Sequence, residues 1–136
     1  MNNPNIERTL SLFLSPVAAG FPSPASDYID KNIDLNEILI KNKVASFLVR
    51  ALGDSMINAG IFSGDILIVD KSITPENKNI VVAILNGEFT VKRLIKDKQK
   101  VFLQPENIKY KPIEINMEDD FKIWGVVTFV IHNPNL

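Results

Sequence analysis

The chain contains no cysteine. Disulfides, thiol catalysis and thiolate metal sites are therefore excluded. It has one histidine, His132, so a structural zinc site lacks ligands. Lysine and arginine total 15 against 16 acidic residues, a formal net charge of −1. That withholds the clustered positive charge a phosphate backbone requires, and no direct, specific DNA binding is expected. No apolar run reaches the roughly 18 to 20 residues of a membrane span, so no membrane role is expected. Repeats and low-complexity segments are absent too. What is present is a chain of 136 residues, 46% hydrophobic and 23% charged, the balance of one ordinary globular domain. The cytoplasm is its expected location.

The first 32 residues carry little regular pattern, and Pro4, Pro16, Pro22 and Pro24 interrupt any helix. They read as an extended, flexible arm, with the domain proper spanning 33–136. Within the arm, "LSLFLSPVAAG" ends in Val17-Ala18-Ala19, a small-residue pattern like a signal-peptide cleavage site. Ser11, Ser15 and Pro16 break the apolar run, and Glu7 offsets Arg8, which weakens a secretory reading without removing it. Further on, "DLNEILIK" has Asp34 as a helix cap, Glu37 in capping-box position, and Leu35, Ile38 and Leu39 at helical spacing.

After Val44 the pattern changes to strands. "VASFLVRAL", "DILIVD", "NIVVAIL", "EFTVKRLI", "KVFLQ", "KPIEI" and "FKIWGVVTFVI" are short, branched or aromatic, and separated by turn formers. They predict a mainly β domain of bent antiparallel sheets with one or two short helices. Asn86-Gly87 between two such runs is a two-residue hairpin signal. It sets Val82 opposite Val91 and Val81 opposite Lys92. Alternation then assigns Ile80, Val82, Ile84, Phe89 and Val91 to a core face. The other face, expected to be lightly covered, carries Val81, Ala83, Thr90, Lys92 and Leu94.

Two positions invite chemistry. In "ALGDSMINAG", Ser55 lies between Gly53 and Gly60, which permit a sharp turn that presents a side chain. A serine nucleophile needs a base. Lys92, among small and apolar neighbours, could serve if burial lowered its pKa from about 10.4. Arginine could not do this, because its pKa hardly moves. Such a Ser-Lys pair is a known nucleophile–base variant. The plainer alternatives stand beside it: Asp54-Ser55 capping a short "MINA" helix, and Lys92 as a solvated strand charge. Asp65 and Asp70 read as turn residues, Glu118 to Asp120 as a solvated loop, Trp124 as core and His132 as an inert terminal residue.

The words "GFPSPASDYIDKNIDLNEILI", "GDSMINAGIFSGDILIVD" and "GEFTVKRL" closely resemble the LexA/UmuD-like self-cleaving peptidases, from about residue 10 to residue 131. The resemblance implies a signal-peptidase-like catalytic core. It maps the nucleophile to Ser55, the general base to Lys92 and the cut bond to Ala19-Gly20, with the backbone N–H groups of Asp54 and Ser55 as oxyanion donors. The best-known UmuD has cysteine ahead of that glycine, whereas Ala19 matches the LexA type and is still small. Neither metal nor organic cofactor is implied. The 19 residues before the cut bond are too few for a helix-turn-helix domain, so a repressor is not expected. The implied biology is self-cleavage stimulated by a RecA filament on single-stranded DNA. The shortened protein would then act as a homodimer with a UmuC-type Y-family translesion polymerase subunit. A second class of function follows: a binding module for the polymerase, whose catalysis happens once per molecule.

Overall fold

The computed structural model describes residues 8–13, 17, 19–20 and 29–136, with the backbone alone for residues 13, 29 and 30. The chain groups into two compact units, Met1–Lys41 and Asn42–Leu136. Pro4, Pro16, Pro22 and Pro24 lie outside the described residues.

In the first unit, β1 (Thr9–Phe13) pairs antiparallel with β2 (Ile29–Asp34), followed by helix α1 (Leu35–Leu39). The extended arm expected there thus holds a strand pair. The reason it escaped the sequence pattern is visible in its contacts: Leu10 and Leu12 remain exposed, and Ser11 Oγ donates to Asn32 Oδ1 at 3.2 Å. Backbone pairing, and not an apolar face, defines these strands. Helix α1 starts where the cap signal put it, with the Asp34 carboxylate accepting the Asn36 N–H at 3.0 Å.

All seven strand words of the second unit are strands: β3 (Ser46–Arg50), β4 (Ile66–Asp70), β5 (Ile80–Leu85), β6 (Glu88–Asp97), β7 (Lys100–Gln104), β8 (Ile113–Glu114) and β9 (Phe121–Ile131). They form one antiparallel sheet in the order β3-β4-β9-β5-β6-β7-β8. The β5–β6 turn has φ of 50° at Asn86 and 84° at Gly87, the positive pair that a type I′ turn demands. Its register is the expected one, including Val81 opposite Lys92 and Ala83 opposite Thr90.

The assignment of faces needs correction. Val82 packs with Met56, Ile61, Leu67 and Val69 in one cluster. Val81, Ala83 and Leu94, expected on a lightly covered face, are fully buried in a second cluster with Leu103 and Val126. Strand β5 is hydrogen-bonded on both sides, to β6 and β9, and bulges in β9 bend the sheet. Its two edges are thereby paired, and a hydrophobic cluster covers each of its faces. Phe89, expected in the core, is 65% exposed beside the hairpin's turn, opposite Ile84.

Candidate active site

Strand β3 leads into the turn that carries Ser55. Gly53 adopts φ +90°, a conformation that strains any residue with a Cβ, although open space surrounds the position. Here glycine is required by backbone geometry alone. The Gly53 N–H donates to Ser63 Oγ at 3.1 Å, and the Ala51 N–H and C=O bond Asp65 and Gly64. A 3-10 turn follows at Ile57–Ala59, but its cap is Met56 and no side chain caps it. The capping alternative for Asp54 and Ser55 therefore does not hold.

Lys92 reaches Ser55 across 37 positions of sequence, with Nζ 3.1 Å from Oγ. The same nitrogen lies 2.8 Å from Thr90 Oγ1 and 3.1 Å from the Val91 carbonyl. Serine and lysine line a cleft of about 190 Å³ whose walls include Val49, Ala51, Met56, Val82 and Phe89. Burial there pushes the Lys92 ammonium below the usual lysine range, since apolar walls penalise its charged form. The solvated-charge alternative for Lys92 fails on the same ground.

Three residues that the sequence pattern did not single out support the serine turn from the β7–β8 connection. The Glu106 N–H donates to the Ser55 carbonyl at 2.8 Å. Asn107 Nδ2 donates to the Asp54 carbonyl at 2.9 Å, and the Tyr110 hydroxyl donates to the Asp54 carboxylate. That last bond raises the Tyr110 pKa, because ionising the phenol would set two negative charges side by side. Arg93, next to Lys92 but on the opposite side of β6, forms an ion pair with Glu106. The signal lay in "PENIKY", where Asn107 Oδ1 accepts the Lys109 N–H in an Asx-type turn.

The other singled-out residues take different places. Ala19 and Gly20 are exposed, as is Val17. His132, expected to be inert, contacts the buried Asp65 carboxylate at 2.6 Å and stacks on Phe62. Asp70 accepts from Ser72 as a turn residue. Glu118 and Asp120 are exposed, as a solvated loop requires, and Asp119 and Asp120 also bond Asn86 of the hairpin turn. Trp124 is only partly core, with Phe47 and Phe89 against its ring and the Lys71 ammonium 5.1 Å above it. Among the described residues there is no cluster of His, Asp and Glu fit to hold a metal. No described helix is long and apolar enough to cross a membrane.

Residues 11–128 match the family described as Peptidase S24-like. The chain belongs to that family. It is 44% identical over 127 residues to Protein SamA of Salmonella typhimurium, covering 93% of this chain and 88% of SamA. Identity to Protein ImpA of Escherichia coli is 42% over 123 residues, covering 89% of the chain and 82% of ImpA. LexA repressor 1 of Geobacter sulfurreducens is 39% identical over 127 residues, which span 90% of the chain but 62% of that repressor. The resemblance to LexA/UmuD-like peptidases is borne out at the level of the family.

Proposed function

We propose that this S24-like chain is a self-cleaving serine peptidase of the UmuD type, which cuts its own Ala19-Gly20 bond. The observation that carries the proposal is the 3.1 Å approach of Lys92 Nζ to Ser55 Oγ inside a partly apolar cleft. A charged ammonium has three donors, and a neutral amine has two donors and a lone pair. In the neutral form, Thr90 Oγ1 and the Val91 carbonyl take the two N–H groups. The lone pair then faces the Ser55 hydroxyl. Lys92 accepts that proton as Oγ attacks the Ala19 carbonyl, forming the tetrahedral intermediate. The N–H groups of Asp54 and Ser55, which have no acceptor among the described residues, stabilise the oxyanion. Protonated Lys92 gives its proton to the departing Gly20 amine, and water hydrolyses the acyl-enzyme. No cofactor takes part.

Residues 1–32 form the substrate arm in this reading, and 33–136 the peptidase domain. Tethering raises the arm's effective concentration, so a modest dyad suffices. Cleavage is a switch: a RecA filament on single-stranded DNA stimulates it during the SOS response. The processed homodimer then serves a UmuC-type Y-family polymerase in translesion synthesis. Support for association comes from the sheet surface where Leu48, Phe129 and Ile131 stay exposed, an apolar face suited to a second copy. The test is incubation of purified protein with RecA, single-stranded DNA and nucleotide, followed by intact mass. At neutral pH, a fragment beginning at Gly20 that forms much faster with the filament than without it supports the reading. An unchanged mass, or a cut at another bond, overturns it.

A further inference from the structure

The Ser55 turn is held from behind as well as opened in front. Asn107 is 7% exposed, and a buried amide is costly unless it is hydrogen-bonded. Its Oδ1 is used locally, on the Lys109 N–H, but its Nδ2 crosses 53 positions of sequence to the carbonyl just before Ser55. One residue earlier, the Glu106 N–H takes the Ser55 carbonyl, and the Glu106 carbonyl accepts the Asn58 N–H at 2.9 Å. Two successive carbonyls of the turn are therefore drawn toward one segment. Arg93 anchors that segment through Glu106, so β6 supports both the lysine and its backing.

A trans peptide is planar, and its C=O and N–H point in opposite directions. Drawing the Asp54 carbonyl toward Asn107 thus aims the Ser55 N–H away from Asn107. Nothing between Pro105 and Tyr110 lines the cleft, whereas Gly53, Ser55 and Lys92 do. The direction away from the backing segment is the direction of the cleft. We infer that the Asn107 side chain is a positioning residue that presets the oxyanion hole by turning the Asp54–Ser55 peptide so that the Ser55 N–H faces the reacting carbonyl. This rests on the reading of Ser55 as the nucleophile. Asn107 itself touches no substrate.

The near-isosteric Asn107→Asp in the full-length chain replaces the donor with an oxygen that repels the Asp54 carbonyl. Removing one oxyanion donor costs about 10²- to 10³-fold in rate, and mis-aiming one should cost ~10- to 100-fold. Self-cleavage at alkaline pH should slow by that factor. Affinity for a Val-Ala-Ala peptide boronate, whose tetrahedral adduct on Ser55 occupies the oxyanion hole, should fall in parallel. The same peptide as a carboxamide should bind unchanged, and the pH midpoint of cleavage should stay in place, because ground-state contacts and Lys92 are untouched. A merely structural role would weaken both peptides together. Should the aspartate variant fail to fold, Asn107→Ser carries the same measurements. Cleavage and boronate affinity within twofold of wild type, or equal losses for boronate and carboxamide, overturn the inference. Ser55→Ala run in parallel separates the failures: activity in that variant removes the dyad itself, whereas an inactive Ser55→Ala beside a fully active Asn107→Asp removes only the role of Asn107.

Discussion

Titration of Lys92 offers the deepest check on the chemistry. Its pKa lies below the usual lysine range because the cleft desolvates the ammonium, and only the neutral amine can accept the Ser55 proton. Below that pKa the neutral fraction grows tenfold per pH unit, which is 1.36 kcal/mol of driving force per unit. Spontaneous cleavage at Ala19-Gly20, followed by intact mass from pH 5 to 10 without an activator, should climb tenfold per unit and then level off. The plateau should arrive before the free-lysine value of about 10.4. Lys92→Ala and Lys92→Arg should show no rise, since guanidinium stays protonated throughout. Folding is linked to the same proton. Between the folded pKa and about 10.4 the unfolded chain binds a proton that the folded chain lacks, so stability rises with pH in that window. Below it the burial penalty is fully present. Any stability that Lys92→Met gains over wild type should therefore be largest near neutral pH and shrink toward pH 10. A flat rate profile, or a rise that survives in Lys92→Arg, would refute lysine as the base.

A Cβ added at Gly125 would lie 2.5 Å from Val69 Cγ1 and 3.3 Å from the Asp70 carbonyl. Val69 is fully buried and branched at Cβ, so Gly125→Ala should destabilise by about 1–3 kcal/mol in urea unfolding; an unchanged midpoint would contradict this packing. Burial alone would raise the Asp65 pKa, but the Phe62 N–H bond and the His132 contact prevail and hold it low. A lowered carboxylate contributes stability that is present above the ordinary aspartate value of about 3.9 and lost as pH falls through the folded pKa. Asp65→Asn should lower Tm at pH 7 and flatten the acid limb of a Tm-versus-pH curve, and an unaltered acid limb would exclude that role. Replacing Ala19 with tryptophan should stop processing without changing Tm, because the residue is exposed; normal processing would move the cut site elsewhere.

What could be read from residues alone was local. Asn86-Gly87 announces its own turn, since both φ values must be positive, and the β5–β6 register follows from it. The seven strand words needed only composition and punctuation. Which face of a strand is buried is a different question, answered by neighbours that alternation cannot see: Val81 and Ala83 owe their burial to β9 and Leu103, far along the chain. Strand β1 alternates Leu10 and Leu12 with Thr9 and Ser11, but both leucines stay exposed, and the prolines around them point to an arm. The proximity of Ser55 to Lys92 was open on spacing alone and came from motif resemblance. Glu106 and Asn107 act through backbone carbonyls of another loop, and a bond to a carbonyl leaves no mark on the residue that accepts it; Tyr110 reaches the Asp54 carboxylate across 56 positions, a separation that local pattern cannot see.

The most direct test of the central claim, that Ser55 is the nucleophile of a self-cleaving chain, is the intact mass of purified wild type and Ser55→Ala held together at the alkaline pH where lysine is neutral. Loss of one half-buried hydroxyl, bonded only to Lys92 among the described residues, should leave the variant folded. Wild type should yield the fragment beginning at Gly20, and Ser55→Ala should stay at full mass. Appearance of the same fragment from Ser55→Ala at the wild-type rate would contradict the account.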